Sequence, residues 1–300
     1  AASDVYKRQI LGDDERKTKL KRGERKMKKI ICFVLLIISV FGLTGCKKNV
    51  LDKITKKGEI VIVTSPDYPA FEFTDESKSG QDKYVGSDIE FMKYIAKELG
   101  VTLKIEATDF DTTLALLSTG AADLAISGFT YKSERAENYE LSNPYYQEGS
   151  QGIIVLKSDY DKNQYNTLAK LNVAGVKVGG QSGSLQFDYI TNQLPNATAE
   201  AFTKIADGLL LLDNGTIKAV ALASSVAENI ITQQPNKYVF LEETFTVPTE
   251  ETQLFVLAAK GQKELITKIN EIIAKMIAEE KYEVWFQEAT DLAASLTEKK

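Results

Sequence analysis

Histidine is absent from the whole chain, and its absence removes more chemistry than any other feature of the composition. Without it there is no Ser-His-Asp or Cys-His nucleophilic centre, no histidine-ligated zinc and no imidazole general base. Carboxylate chemistry stays open. Cysteine is scarce as well, with Cys32 and Cys46 the two present. Long apolar runs are missing, except for Ile30 to Leu43, which falls short of the roughly 20 residues that a membrane-crossing helix needs. No Pro/Ser-rich stretch marks a flexible linker, and the 6 prolines are scattered.

What surrounds the apolar run gives it a meaning. Met27-Lys28-Lys29 precedes it and Leu43-Thr44-Gly45-Cys46 closes it. A basic start, a short apolar core and small exit residues describe a secretory signal peptide over residues 27–45. Leu-Thr-Gly-Cys resembles the bacterial lipobox, whose cysteine is acylated and becomes the first residue of the mature protein. A thiol can carry a thioether-linked diacylglycerol, and two or three acyl chains hold a protein on a membrane stably. Residues 46–57 then read as a short Lys-rich tether. Residues 1–26, polar and charged, do not suit a position ahead of a signal peptide. They are read as an upstream translation artefact, with Met27 as the start.

Removing residues 1–45 takes away 11 basic and 5 acidic side chains, leaving 26 Lys+Arg against 37 Asp+Glu, a net charge of −11. Such a surface argues against nucleic acid as a partner. Cys32 leaves with the signal and Cys46 is acylated, so no disulfide and no thiol nucleophile remain.

The rest of the chain alternates between two periodicities. Glu59 to Val63 reads as a buried strand, Asp88 to Leu99 as an amphipathic helix ended by Gly100, and Val101 to Ile105 as a strand. Thr112 to Ser118 is a second helix, and Asp123 to Ile126 a third strand. The alternation returns with strand Val176 to Gly179, helix Ser184 to Gln193, helix Ile205 to Asp213 and strand Ala219 to Leu222. Strand Gln253 to Ala258 follows, and helices Lys263 to Ala278 and Tyr282 to Leu296 close the chain. This order predicts an α/β protein with mainly parallel sheets. Two such units without a flexible linker predict a stiff hinge with a ligand cleft between lobes.

From Gly58 to about Gln287 the chain resembles the family-3 periplasmic solute-binding proteins, which serve polar amino-acid importers. Pro66-Asp67-Tyr68-Pro69-Ala70-Phe71-Glu72-Phe73 looks like the first pocket loop, and Val85-Gly86-Ser87-Asp88-Ile89-Glu90 like the helix entry that follows. Ala122 to Thr130 leads to Ser133-Glu134-Arg135 and then to Ser142-Asn143-Pro144-Tyr145-Tyr146, the most specific block. Gly179-Gly180-Gln181-Ser182-Gly183-Ser184 looks like the loop of the second lobe.

The resemblance implies a two-lobed periplasmic-binding-protein fold of type II with two hinge crossover strands. Lobe 1 would hold residues 58–150 and 259–300, and lobe 2 residues 151–258. It implies a monomer, anchored by lipid outside the cytoplasm, that captures an amino acid or amino-acid-like molecule. The permease and ATPase of an ABC importer would be its partners, and no cofactor or metal is implied.

Site residues follow from the same motifs. Arg135 would fork two donors onto the ligand carboxylate, which lysine cannot do. Ser184 and Leu185, at a helix start, would hold the carboxylate's other side. Ser127, Gly128 and Thr130 would meet the ammonium, and Tyr68 and Phe110 would sandwich the aliphatic part. Ser65 stands where some binders of basic amino acids have Asp, which argues against Lys or Arg as ligand.

Two positions depart from the pattern. After Asn214-Gly215-Thr216-Ile217 the family usually reads Asp-Ala-x-x-x-Asp, the second Asp pairing with the α-ammonium, whereas here that place is Ala223. Either another acid such as Glu228 replaces it or the ligand lacks a free α-ammonium. Phe255 stands where many relatives have Gly near the hinge return. Rival readings are an enzyme on the same fold, such as a dehydratase using Glu228, and a ligand-sensing lipoprotein.

Cys46→Ala is expected to release the protein from the membrane fraction or leave its signal uncleaved. Intact-mass measurement of membrane-extracted protein checks the processing, and a mature N-terminus upstream of Cys46 contradicts it.

Overall fold

The computed structural model describes residues 49–297. The readings of residues 1–26, the signal segment and Cys46 lie outside the described residues.

Glu59–Thr64 (β1) is buried along nearly its whole length, as its unbroken Ile-Val-Ile-Val run requires of a strand covered on both faces. It pairs in parallel with Thr102–Ala107 (β4) on one side and Leu124–Ala125 (β5) on the other. Leu257–Ala259 (β14) joins β5 antiparallel, and Tyr139–Leu141 (β6) completes the first sheet, in the order β4-β1-β5-β14-β6. The second sheet repeats the plan with Thr198–Phe202 (β10), Lys177–Gln181 (β9), Ala219–Ala223 (β11), Gln151–Leu156 (β8) and Tyr238–Phe240 (β12), in the order β10-β9-β11-β8-β12. In each sheet three parallel strands meet an antiparallel one that has just crossed from the other lobe. The crossovers themselves pair: Tyr146–Gln147 (β7) runs antiparallel to Gln253–Leu254 (β13). The fold is thus two α/β lobes on a double-stranded hinge.

One glycine fixes the geometry of the first lobe. Gly86 has φ 127°, and a Cβ there would lie 2.1 Å from the Phe71 carbonyl oxygen. The bare backbone lets the helix Ser87–Leu99 start against the hairpin of Phe73–Thr74 (β2) and Tyr84–Val85 (β3). There the Ser87 and Asp88 amides donate to the carbonyls of Ala70 and Phe71, at 3.0 and 2.9 Å.

That helix start carries Asp88 into the core. The carboxylate accepts from the Gly128 amide at 3.1 Å, from the Tyr145 hydroxyl at 3.0 Å and from the Tyr282 hydroxyl at 2.6 Å. Around it Phe91, Tyr145, Tyr146, Tyr282 and Phe286 stack with ring centroids 4.8–6.3 Å apart. The polar centre of this lobe is therefore walled by aromatic rings from the helix Ser87–Leu99, the crossover and the C-terminal helix Lys281–Thr297.

The structure corrects several expectations. Residues 50–57, read as tether, form the helix Val50–Lys57, capped by Asn49 and holding Ile54 in the core. The strand expected over Gln253 to Ala258 is broken, because Phe255 and Val256 donate their amides to the Phe129 carbonyl and the Ser142 hydroxyl instead of a ladder. The return to the first sheet comes before residue 258, since Leu257 and Ala258 already pair with β5 and β6. Phe255 finds room for its ring in the core, 6.4 Å from Tyr131. Arg135 sits on a short helix, Ser133–Asn138.

Asp88→Ala leaves two buried hydroxyls and a backbone amide without their acceptor. At about 1–3 kcal/mol for each unsatisfied buried group, partly relieved by relaxation, the expected loss is about 3–5 kcal/mol in denaturant unfolding. A loss below about 1 kcal/mol contradicts the role given to Asp88.

Candidate functional site

The loops that end β1, β5 and β9 converge where the two sheets face each other, and they enclose a cavity of about 20 Å³. That is room for little more than one water. Its first-lobe wall carries Tyr68, Phe110, Ser127, Gly128 and Thr130, with Arg135 behind them, and its second-lobe wall carries Ser184 and Leu185. Eight of the nine residues expected at a ligand site therefore line one cavity. Ala223 does not: it is fully buried at the end of β11, where its backbone pairs with Gln151. Glu228, the acid suggested in its place, lies exposed on the helix Ser224–Gln233.

Arg135 is 3% exposed. Its guanidinium donates to the Thr130 carbonyl at 2.8 Å, to the Thr130 hydroxyl at 3.4 Å and across the cleft to the Gly183 carbonyl at 3.1 Å. All these acceptors are uncharged. Phe110 and Phe129, stacked at 4.9 Å, lie under the guanidinium at 5.7 and 5.2 Å. Burial lowers its pKa to about 10, against the fields of Asp188 and Glu134. A desolvated cation without a bonded anion is the dominant electrostatic feature of the site.

Facing it, Ser184 caps the helix Leu185–Gln193, its hydroxyl accepting from the Phe187 amide at 3.1 Å. The amides of the first helical turn have no partner within the helix and lie beside the cavity. Gly128 adopts φ 56°, and a Cβ there would stand 3.4 Å from the Tyr68 ring, so a bare backbone lets that ring lie against the strand end.

Three acids near the cavity went unassigned in the sequence reading. Asp67 accepts from the Ser65 hydroxyl at 2.8 Å and, across the cleft, from the Gln181 side chain at 3.0 Å and the Ile205 amide at 2.9 Å. Burial raises its pKa. Glu72 accepts from the Ser127 hydroxyl at 2.7 Å through Oε1, while Oε2 is buried and receives no donor. Its neighbour there is Asp88. Burial first, and then the Asp88 charge, raise Glu72 well above the carboxylate range. Asp88, which burial also raises, collects the donors that favour an anion. Glu72 thus keeps the proton, and Oε2 is its donor to Asp88 rather than an orphan.

Glu148, the third, is buried in the crossover segment and accepts from the Tyr68 hydroxyl at 2.8 Å and the Gln151 side chain at 3.0 Å. A charge inside an apolar run, Phe71-Glu72-Phe73, was the available signal for Glu72. Glu148 stands in polar surroundings and offered none.

A larger groove of about 590 Å³ between the helices Ser87–Leu99 and Lys281–Thr297 is open to solvent, and Lys93, Trp285 and Glu288 are among its walls. No buried charge converges on it, and the small cavity between the sheets is the candidate site. Among the described residues there is no cluster of three or more His, Cys, Asp or Glu able to hold a metal, and no helix long and apolar enough to cross a membrane.

The chain is similar to the ABC transporter arginine-binding protein 1 of Escherichia coli K12, at 25% identity over 86% of this chain and 96% of that protein. It is also similar to the L-cystine-binding protein TcyJ of the same organism, at 25% identity over 81% and 86%. An arginine-bound crystal structure of an amino acid ABC transporter substrate-binding protein from Streptococcus pneumoniae Canada MDR_19A superposes with a TM-score of 0.74. It has 31% identity and covers 81% of this chain and 99% of that one. The family model of the bacterial extracellular solute-binding proteins, family 3, matches residues 60–288. The chain belongs to that family of extracellular solute-binding proteins.

Proposed function

We propose that this protein is the substrate-binding component of an ABC importer, taking an amino acid or amino-acid-like molecule between its lobes and passing it to a membrane permease. We place it outside the cytoplasm as a monomer, held to the membrane through acylated Cys46. The observation that carries the ligand class is Arg135, a buried guanidinium whose bonded partners are all neutral. A ligand carboxylate is the complement it lacks, met on its other side by the first amides of the helix Leu185–Gln193. Relatives named for arginine and cystine support an amino acid as the molecule taken.

Size supports a moving cleft. An amino acid does not fit a cavity of about 20 Å³, so the lobes part to admit it. The bonds to be broken are few and polar, among them Arg135 to Gly183, Asp67 to Gln181 and Ile205, Ser182 to Asp111, and the Lys132–Asp188 ion pair. The chemistry favours binding over turnover, because the buried acids around the cavity already accept bonds that hold the walls together. Thermal shift across amino acids, dipeptides and simple carboxylates identifies the ligand, and a turnover assay on each hit checks for chemistry.

Arg135→Ala is expected to weaken the identified ligand at least tenfold in calorimetry while thermal unfolding stays cooperative, since a desolvated charge pair loses about 2–5 kcal/mol when one member is removed. Unchanged affinity moves Arg135 out of the site.

A further inference from the structure

Glu148 lies outside the cavity lining yet reaches both of its walls. On the first-lobe side the Tyr68 hydroxyl donates to Oε1 at 2.8 Å. On the second-lobe side the Gln151 amide nitrogen donates to Oε2 at 3.0 Å, and the Gln151 amide oxygen accepts from the Gln186 side chain at 2.8 Å. Tyr68 and Gln186 both line the cavity. The chain Tyr68–Glu148–Gln151–Gln186 thus passes from one wall to the other through the crossover segment.

We propose that Glu148 is a positioning residue that sets the hydrogen-bond polarity of the cavity walls, so that the ionised carboxylate makes the site select ligands presenting an N–H donor opposite Arg135. This rests on the reading of the cavity as a solute site. An ionised carboxylate only accepts. Tyr68 then spends its proton on Glu148 and offers the ligand its lone pairs. Gln151 must turn its NH₂ to Glu148 and its oxygen to Gln186, which leaves Gln186 its own carbonyl oxygen and one N–H for the ligand. Each wall then offers an acceptor to an ammonium, guanidinium or amide, although Ala223 carries no acid. When Glu148 takes a proton it donates that proton to Tyr68 Oη. The Tyr68 proton turns towards the cavity, and the wall changes from acceptor to donor.

The switch falls in an accessible range. Burial raises the Glu148 carboxyl to about 7, helped by the Asp88 charge and opposed by the bonds from Tyr68 and Gln151. Ser225 also favours the charged form, without a hydrogen bond of ordinary geometry. The other groups that feel Glu148 are Tyr68, Tyr145, Tyr146 and Tyr189, all raised by burial and neutral near pH 7. The chain has no histidine to titrate there. The ionised form dominates above about pH 7, so capture of an N–H ligand strengthens as pH rises and weakens as it falls.

The test needs no ligand for its first arm. Carbon and nitrogen NMR of the unliganded protein from pH 5.5 to 8.5 should show the Tyr68 ring Cζ and the Gln151 and Gln186 side-chain amides titrating with the Glu148 carboxyl at one midpoint. Glu148→Gln should remove that midpoint from all of them. Signals of Tyr68 and Gln186 that ignore the Glu148 titration overturn the proposal. In the second arm L-arginine, L-glutamine and L-cystine are titrated calorimetrically at pH 6 and pH 8. A probe that binds is expected to gain at least threefold in wild type and to lose most of that dependence in Glu148→Gln. An unchanged pH profile in the variant overturns the proposal. If none of the probes binds at either pH, the amino-acid reading of the site fails instead, and the NMR arm still decides the role of Glu148.

Discussion

The Asp88 carboxylate is the point at which the first lobe, the hinge and the cavity are held together. Its donors come from far apart in the chain: Gly128 at the cavity edge, Tyr145 at the entrance to the crossover and Tyr282 on the last helix. Glu72 brings in a fourth segment, the loop that carries Asp67 and Tyr68. A charge buried this deeply persists because every neighbour supplies a hydrogen, including a protonated acid. The arrangement also explains the glycine at 86. Only a bare backbone lets the helix start close enough to Phe71 for Asp88 to enter the core.

From that anchor the site is built by addition. Glu72 fixes Ser127, whose hydroxyl accepts from the Ser65 amide at 3.0 Å, so two strand ends are locked before any ligand arrives. Arg135 stands on the rigid side, stacked over two phenylalanines. The second lobe contributes a helix start, the Gly183 carbonyl, the Ile205 amide and the uncharged side chains of Gln181 and Gln186. One wall therefore supplies fixed charge and aromatic surface, and the other supplies dipoles that approach when the hinge closes.

Much of this was legible in the residues. The helices Ile205–Asp213 and Lys263–Ala278 fall where periodicity places them, because each presents one apolar face to one sheet. Arg135 and Ser184 were legible through ordered motifs. The unread features depend on partners distant in sequence. Glu148 sits in Gln147-Glu148-Gly149-Ser150, which has the composition of a surface turn, and it is buried only because Tyr68, 80 residues earlier, reaches it. The break between β13 and β14 depends on the Ser142 hydroxyl, 114 residues away from Val256. The helix Ser224–Gln233 follows β11 without a loop, so the apolar period changes from 2 to 3.6 within one residue and no punctuation marks the change.

The shared sheet plan has a consequence for how the chain comes to be folded. The second sheet comes from one continuous stretch, residues 151–240, but the first is not assembled in one pass. The first needs β14 between β5 and β6, so strands separated by more than a hundred residues must meet before it is complete. The last helix then seals the aromatic core through Tyr282. An emerging polypeptide can form neither its first sheet nor its polar anchor until almost all of it is available. Long-range pairing of this kind is slow, and it keeps a chain unfolded while it is still being made or moved. The C-terminal helix therefore closes the fold last, and the connectivity of the first sheet sets that order.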